Sequence, residues 1–219
     1  FKFLLEILIL VLLSAGLFLG YKYTRLDRSQ PLDAGAVQNE NLSGEELKTQ
    51  KGYTDIALFG LDSRIGELES GANSDAIMVC SINNRTKEIR LVSVYRDTYL
   101  DTGDGNYRKC TEAYAAGGAS RAVAMLNRNL DLNISHYVTL NFDALVELVD
   151  IFGGVDINLS EGEVQWLNGY LVEGREVLGR ECPDVPGPGL QHLNGMQALA
   201  YCRIRYIGLD YERTERQRE

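Results

Sequence analysis

The feature that most constrains the fold is a succession of strand-length apolar runs that gives way to segments of helical period. Asp55-Ile-Ala-Leu-Phe-Gly-Leu61, Ala76-Ile-Met-Val-Cys-Ser-Ile82 and Ile89-Arg-Leu-Val-Ser-Val94 are short, mainly apolar runs of the length of buried strands, with Asn83-Asn84 as a turn between the last two. Thr111 to Leu130 then places Ala122, Val123, Leu126 and Leu130 on one side of a helix. A strand at His136–Asn141, a helix at Asp143–Phe152 stopped by Gly153-Gly154, and a strand at Val155–Leu159 follow. Strands alternating with helices predict an α/β class: a three-layer α/β/α sandwich around a central mixed sheet. Ser160 to Gly189 is rich in Gly, Glu and Pro and reads as irregular, and Gln191–Tyr201 as a helix.

Before this domain stands Phe3 to Tyr21, apolar except for Glu6 and just long enough to cross a bilayer, with Tyr21, Lys22, Tyr23 and Arg25 at its end. No small-x-small cleavage site follows it, so it is expected to be an uncleaved signal anchor, a single transmembrane helix. The expected division is 1–28 membrane anchor and flank, 29–52 polar linker, and 53–219 folded domain. Lys2 precedes the span while Lys22, Arg25 and Arg28 follow it, which read literally would leave the domain in the cytoplasm. The chain does not start with Met, so a preceding basic segment is expected, and the domain is expected outside the cell membrane.

Against a formal net charge of -9, five arginines crowd into Tyr201–Arg218: Arg203, Arg205, Arg213, Arg216 and Arg218. Arg203 and Arg205 are two apart, which on an extended segment puts both guanidinium groups on one face, and Arg213, Arg216 and Gln217 suit one face of a helix from near Asp210. Planar guanidinium forks match phosphate oxygens bidentately, so one reading is a clamp for phosphate or pyrophosphate. The other is a solvated helix with Glu212, Glu215 and Glu219 as partners, which composition alone favours. The acidic balance excludes a general nucleic-acid binder. Asp62 and Asp75, at strand ends, could share a Mg²⁺, whose usual partners are one or two carboxylates and ligand phosphates, although an isolated Asp is more often a turn or cap residue. The four cysteines show no metal-ligand spacing; Cys80 and Cys202 lie in apolar runs and Cys110 and Cys182 in loops.

Several segments, in fixed order, resemble the LytR-CpsA-Psr family of membrane-anchored bacterial cell-wall enzymes: Gly60-Leu-Asp-Ser-Arg64, Ser74-Asp-Ala-Ile-Met78, Ser93-Val-Tyr-Arg-Asp-Thr98, Tyr114-Ala-Ala-Gly-Gly118, Val149–Asp156, Leu193–Arg205 and Asp210–Gln217. The resemblance implies a phosphotransferase that moves an anionic glycopolymer, such as teichoic acid or capsule, from a polyprenyl-pyrophosphate carrier to a peptidoglycan acceptor. It further implies that Asp62 and Asp75 hold Mg²⁺, and that Arg96, Arg203, Arg205, Arg213 and Gln217 grip the pyrophosphate as catalytic and substrate-binding residues. Asn73 stands where the family usually has an arginine and Tyr95 where it usually has a proline. By the same resemblance the domain is expected to continue beyond residue 219. The alternatives are a non-catalytic polyprenyl-phosphate-binding or regulatory membrane protein, and a pyrophosphate hydrolase.

Overall fold

The computed structural model describes residues 10–14, 16–18, 32–63, 71–103, 105–208 and 210–218. The chain divides into two units, Phe1–Pro31 and Leu32–Glu219. In the first, residues 10–14 and 16–18 are helical, with Leu10, Leu13, Leu17 and Phe18 exposed. Most of the span expected at Phe3–Tyr21 lies outside the described residues, and among the described residues no helix is long and apolar enough to cross a membrane.

The second unit opens with two short helices, α1 (Ala34–Val37) and α2 (Gly44–Gln50), the latter started by a capping box between Ser43 and Glu46. The sequence predicts a polar linker over 29–52, of which 29–31 lie outside the described residues; the rest packs in part against the domain. Val37 is buried in the core, the Asn39 amide donates to the Asn127 carbonyl (2.7 Å), and Asn127 Nδ2 donates to the Val37 carbonyl (2.6 Å). The cause is Asn127 itself: a buried amide must find partners, and the segment before β1 supplies one of them.

The main sheet is mixed. Strand β2 (Ser74–Asn83) runs antiparallel to both its neighbours, β1 (Tyr53–Leu61) and β3 (Ile89–Ser93), and β6 (His136–Leu140) lies parallel to β1, giving the order β3-β2-β1-β6. Two small sheets, β4 (Tyr99–Asp101) with β5 (Tyr107–Lys109) and β7 (Val155–Leu159) with β8 (Gly189–Leu193), stand apart from it. The strand read at Val155–Leu159 therefore exists but does not extend the main sheet.

Period-2 alternation gives the sheet two unlike faces. Ala57, Phe59, Leu61, Ile77 and Val79 point into a core completed by α3 (Thr111–Leu130), whose Tyr114, Ala122, Val123, Met125 and Leu126 are buried. Gly117 and Gly118 break α3 near its start; Gly118 has φ 64°, ψ -160°, a conformation that favours glycine. The opposite face carries rows of paired apolar residues, Val138–Leu58–Met78 and Ile56–Cys80–Leu91, none of them fully buried.

A second core joins α4 (Phe142–Ile151), α5 (Glu161–Leu178), α6 (Gly195–Cys202), β7 and β8 around Val146, Leu167, Leu171, Leu193 and Leu199. Two expectations are corrected here. The stretch read as irregular over Ser160–Gly189 contains α5, started by a Ser160–Glu163 capping box and buried along Leu167, Leu171 and Gly174. The helix read from Gln191 begins instead at Gly195, after β8, because Asn194 caps it and receives Gln197 in return. α7 (Asp210–Arg216) closes the chain where the arginine spacing predicts it.

At Gly195 the helices α4 and α6 touch backbone to backbone: an added Cβ would lie 2.1 Å from the Val146 carbonyl oxygen. Gly195→Ala is therefore expected to destabilise by about 1–3 kcal/mol or more through overpacking, which thermal unfolding would register as a fall of several degrees. An unchanged melting temperature would mean that the two helices separate without cost.

Candidate functional site: an arginine cluster at a β-bulge

The site begins with a break in strand register. Gly60 pairs with Ala76, but Leu61 pairs with Ser74, so Asp75 is an extra residue on β2. Such bulges re-aim a side chain at a sheet edge. The redirected Asp75 carboxylate, its side chain only 14% exposed, lies among three guanidinium groups. Arg96 Nη1 is 2.5 Å from Oδ1, while Arg213 Nη2 and Arg205 Nη2 are 3.0 and 3.3 Å from Oδ2.

Each arginine arrives from a different element. Arg96 sits in the turn after β3, whose backbone is held by the Thr111 N–H donating to the Arg96 carbonyl (3.0 Å). Cys110 Sγ packs against the same turn, 2.9 Å from the Tyr95 carbonyl oxygen, and burial pushes its thiol up to about 11, so it stays neutral there. Arg213 comes from α7, and Arg205 from the loop between α6 and α7. Asp97 is held below the usual carboxylate range, chiefly by its hydrogen bond from Lys109, with the ammonium 2.8 Å away. Four cations thus face two carboxylates, and the surplus positive charge in partly desolvated surroundings suits a multiply charged anion.

A cavity of about 360 Å³ adjoins this cluster, lined by Asp75, Met78, Ser93, Arg96, Arg213 and Gln217 among others. Met78 belongs to the half-exposed apolar sheet face, so the charged end and the apolar face are continuous.

Of the residues singled out in the sequence, Asp75, Arg96, Arg205, Arg213 and Gln217 are brought together. Asp62 stands exposed just past the bulge, its backbone N–H donating to the Asn73 carbonyl (3.2 Å). Arg203 is not brought to the cluster. It is the C-cap of α6 in helical conformation, and its Nη2 lies 3.1 Å from both Glu173 oxygens while the guanidinium covers the Phe142 and Tyr170 rings at 5.0 and 5.3 Å. The two-residue spacing predicts a shared face with Arg205, but α6 continues through Cys202 and turns Arg203 back onto the second core. Arg203→Ala is accordingly expected to cost about 1–3 kcal/mol of stability. Anion binding in the folded variant should change little. Arg205, half-exposed with a single contact in the cluster, should show the reverse pattern. Melting curves and titrations of inorganic pyrophosphate on the two variants separate these roles; loss of affinity for Arg203→Ala as large as for Arg205→Ala would contradict the assignment.

Arg216, which the spacing places on the helix face of Arg213 and Gln217, is instead turned inward: it is 6% exposed and donates from Nη2 to the Ile204 carbonyl (2.9 Å) and the Ile207 carbonyl (3.2 Å). It fixes the loop that carries Arg205. His136 is a β6 residue, as expected, and all four cysteines are free. Among the described residues no group of three or more His, Cys, Asp or Glu side chains could hold a metal ion.

The described domain is thus mixed α/β, with an arginine cluster around Asp75 at one end of an apolar sheet face. The profile of the LytR_cpsA_psr family matches residues 20–219, and this chain belongs to that family. It is 35% identical over 217 residues to the polyisoprenyl-teichoic acid–peptidoglycan teichoic acid transferase TagU of Enterococcus faecalis, covering 97% of this chain and 66% of the relative's length. It is 33% identical over 196 residues to the biofilm regulatory protein A of Streptococcus mutans, covering 81% of this chain and 44% of that protein. The fold is shared with the LytR-CPS2A-psr family protein YwtF (TagT) solved with octaprenyl pyrophosphate lipid bound, at a TM-score of 0.64 and 26% identity, covering 86% of this chain and 69% of the other.

Proposed function

We propose that this chain is a glycopolymer phosphotransferase, moving an anionic glycopolymer such as teichoic acid from a polyprenyl-pyrophosphate carrier to a peptidoglycan hydroxyl. The observation that carries the reading is the continuity of the Asp75–arginine cluster with the apolar face of the main sheet. A ligand that satisfies both ends at once needs a pyrophosphate-like head and a long hydrocarbon tail. Arg96, Arg205, Arg213 and Gln217 bind the phosphate oxygens, and Arg203 supports the loop behind them. Since phosphoryl transfer depends on positioning and charge neutralisation more than on a covalent catalyst, such a cluster is sufficient in kind. The names of the E. faecalis relative and of the lipid bound to YwtF support the same reading.

Mg²⁺ belongs to the proposal. Asp75 is the bulged residue of β2 and Asp62 the first residue past β1, and they offer two hard oxygen donors, the minimal protein set for this ion when phosphates complete the shell. When bound, the ion would neutralise charge that develops on the transferred phosphoryl group. Asp75 also organises three arginines, which a simple binder could use equally well, so Asp62 is the carboxylate that favours an enzyme over a carrier-binding or regulatory protein.

We further propose residues 1–28 as a single-pass anchor in the cell membrane, with the catalytic domain on the outer side and its helices and sheet forming three layers. Protease added to intact cells should then remove the domain, and full protection would overturn the exported orientation. The transfer reading is tested by incubating the purified protein with a polyprenyl-pyrophosphate-linked teichoic acid and peptidoglycan. Polymer attached to the wall with Mg²⁺ present is the expected result, and release of free polymer without attachment would make the protein a hydrolase.

A further inference from the structure

The loop that delivers Arg205 delivers an aromatic ring with its next residue. Tyr206 is 70% exposed and stacks on Trp166 of α5, itself 36% exposed, with ring centroids 4.4 Å apart and planes at 25°. Neither ring belongs to either hydrophobic core. Two large aromatics left at the surface, side by side, forgo the burial that usually accounts for such residues.

Their position is also fixed. Arg216 donates to the carbonyls of Ile204 and Ile207, which bracket Arg205 and Tyr206, and its Nη1 lies 3.9 Å from Glu163 Oε1, one helical turn before Trp166 in α5. One buried guanidinium thus ties together the loop with the clamp arginine and the helix with the tryptophan. Consecutive Cα atoms are about 3.8 Å apart, so the ring begins within the width of a sugar from the backbone that carries the Arg205 guanidinium.

We propose that Trp166 and Tyr206 form a stacking platform for the first pyranose ring of the glycan attached to the pyrophosphate. This rests on the reading that the arginine cluster takes the pyrophosphate. In such a carrier one phosphate bears the hydrocarbon chain and the other bears the first sugar. The apolar sheet face provides for the chain, and the aromatic pair is an apolar surface carried by the residue after Arg205 and by α5. A pyranose presents a face of C–H groups that packs on an aromatic ring, while its hydroxyls stay solvated at the rim. The pair would therefore select for a glycosylated carrier over the bare lipid pyrophosphate.

The test compares two probes, octaprenyl pyrophosphate and the same lipid bearing one N-acetylglucosamine on the pyrophosphate. Tyr206→Ser and Trp166→Leu should each weaken binding of the sugar-bearing probe by about tenfold and leave the bare probe unchanged, while Tyr206→Phe should bind both like the unaltered protein. Equal weakening of both probes would overturn the platform, because the pair would then only be steadying the loop of Arg205; so would unchanged binding of both. If the unaltered protein fails to bind even the bare probe, the pyrophosphate reading falls, and the platform with it. Tyr206 is exposed enough that its variants test the contact even if Trp166→Leu disturbs α5.

Discussion

Asp75→Ala is expected to lower the unfolding free energy by about 3–5 kcal/mol, because it strips the shared carboxylate from the centre of three converging guanidinium groups. At roughly 2–4 °C per kcal/mol for a chain of this size, the melting temperature should fall by roughly 6–20 °C. Transfer should be lost with it, since the same carboxylate is a proposed ligand of Mg²⁺. The diagnostic effect is a change of opposite sign. Without metal, Asp75 occupies the same nitrogen donors that a pyrophosphate would use, so the variant should bind inorganic pyrophosphate more tightly than the unaltered protein does. A ligand that binds only the folded state stabilises by RT ln(1 + [L]/Kd), so pyrophosphate should raise the melting temperature of Asp75→Ala by more than that of the unaltered protein. Asp75→Asn, which keeps an oxygen acceptor and loses the charge, should fall between the two. Equal thermal shifts in all three proteins would mean that the anion does not bind at the Asp75 arginines.

The elements that carry this site differ in how far the sequence reveals them, and the reasons are physical. β1, β2 and β3 are legible because each holds a short, mainly apolar run, and α7 because its arginines recur at helical spacing. α5 is hidden because Gly, Glu and Asn dilute its exposed face, although the Ser160–Glu163 capping box and the Leu167–Leu171 spacing mark its start and its buried side. The bulge at Asp75 has no local signature at all, since it is a relation between β2 and the strand beside it. The same holds for the partners of Asp75, which lie 21, 130 and 138 positions further along the chain. Spacing misleads for Arg203 and Arg205 because two-residue spacing means a shared face only in extended backbone, and the helix ends between them. What the sequence does show is an unusual density of arginine; which of the five meets the ligand depends on the cap of α6 and the buried anchorage of Arg216.

Within that stretch the largest loss of binding is expected at Arg213. Its side chain is 9% exposed and its Nη2 reaches Asp75, yet its Nε is buried with no hydrogen-bond partner among the described residues. A buried donor left unpaired costs about 1–3 kcal/mol, a cost that a phosphate oxygen in the adjoining cavity would remove. Arg213 therefore stands to form a new bond through Nε and to redirect Nη2 when an anion arrives, whereas Arg205, half in solvent, has one contact to exchange. With charge-assisted bonds worth about 1.5–3 kcal/mol each, and two made by one side chain, Arg213→Ala should weaken pyrophosphate binding by roughly a hundredfold or more. Arg205→Ala should weaken it by about tenfold to a hundredfold, because the side chain is more solvated and the bond single. Arg213→Lys should recover only part of the loss, since an ammonium cannot present two directed donors to neighbouring oxygens. Arg218, exposed and outside the cluster, serves as the control, and Arg218→Ala should leave the titration unchanged. Calorimetric titration of octaprenyl pyrophosphate into the four variants ranks these contributions. If Arg213→Ala binds as tightly as Arg218→Ala, the buried guanidinium serves only to hold Asp75, and the phosphate site must be sought elsewhere on the sheet.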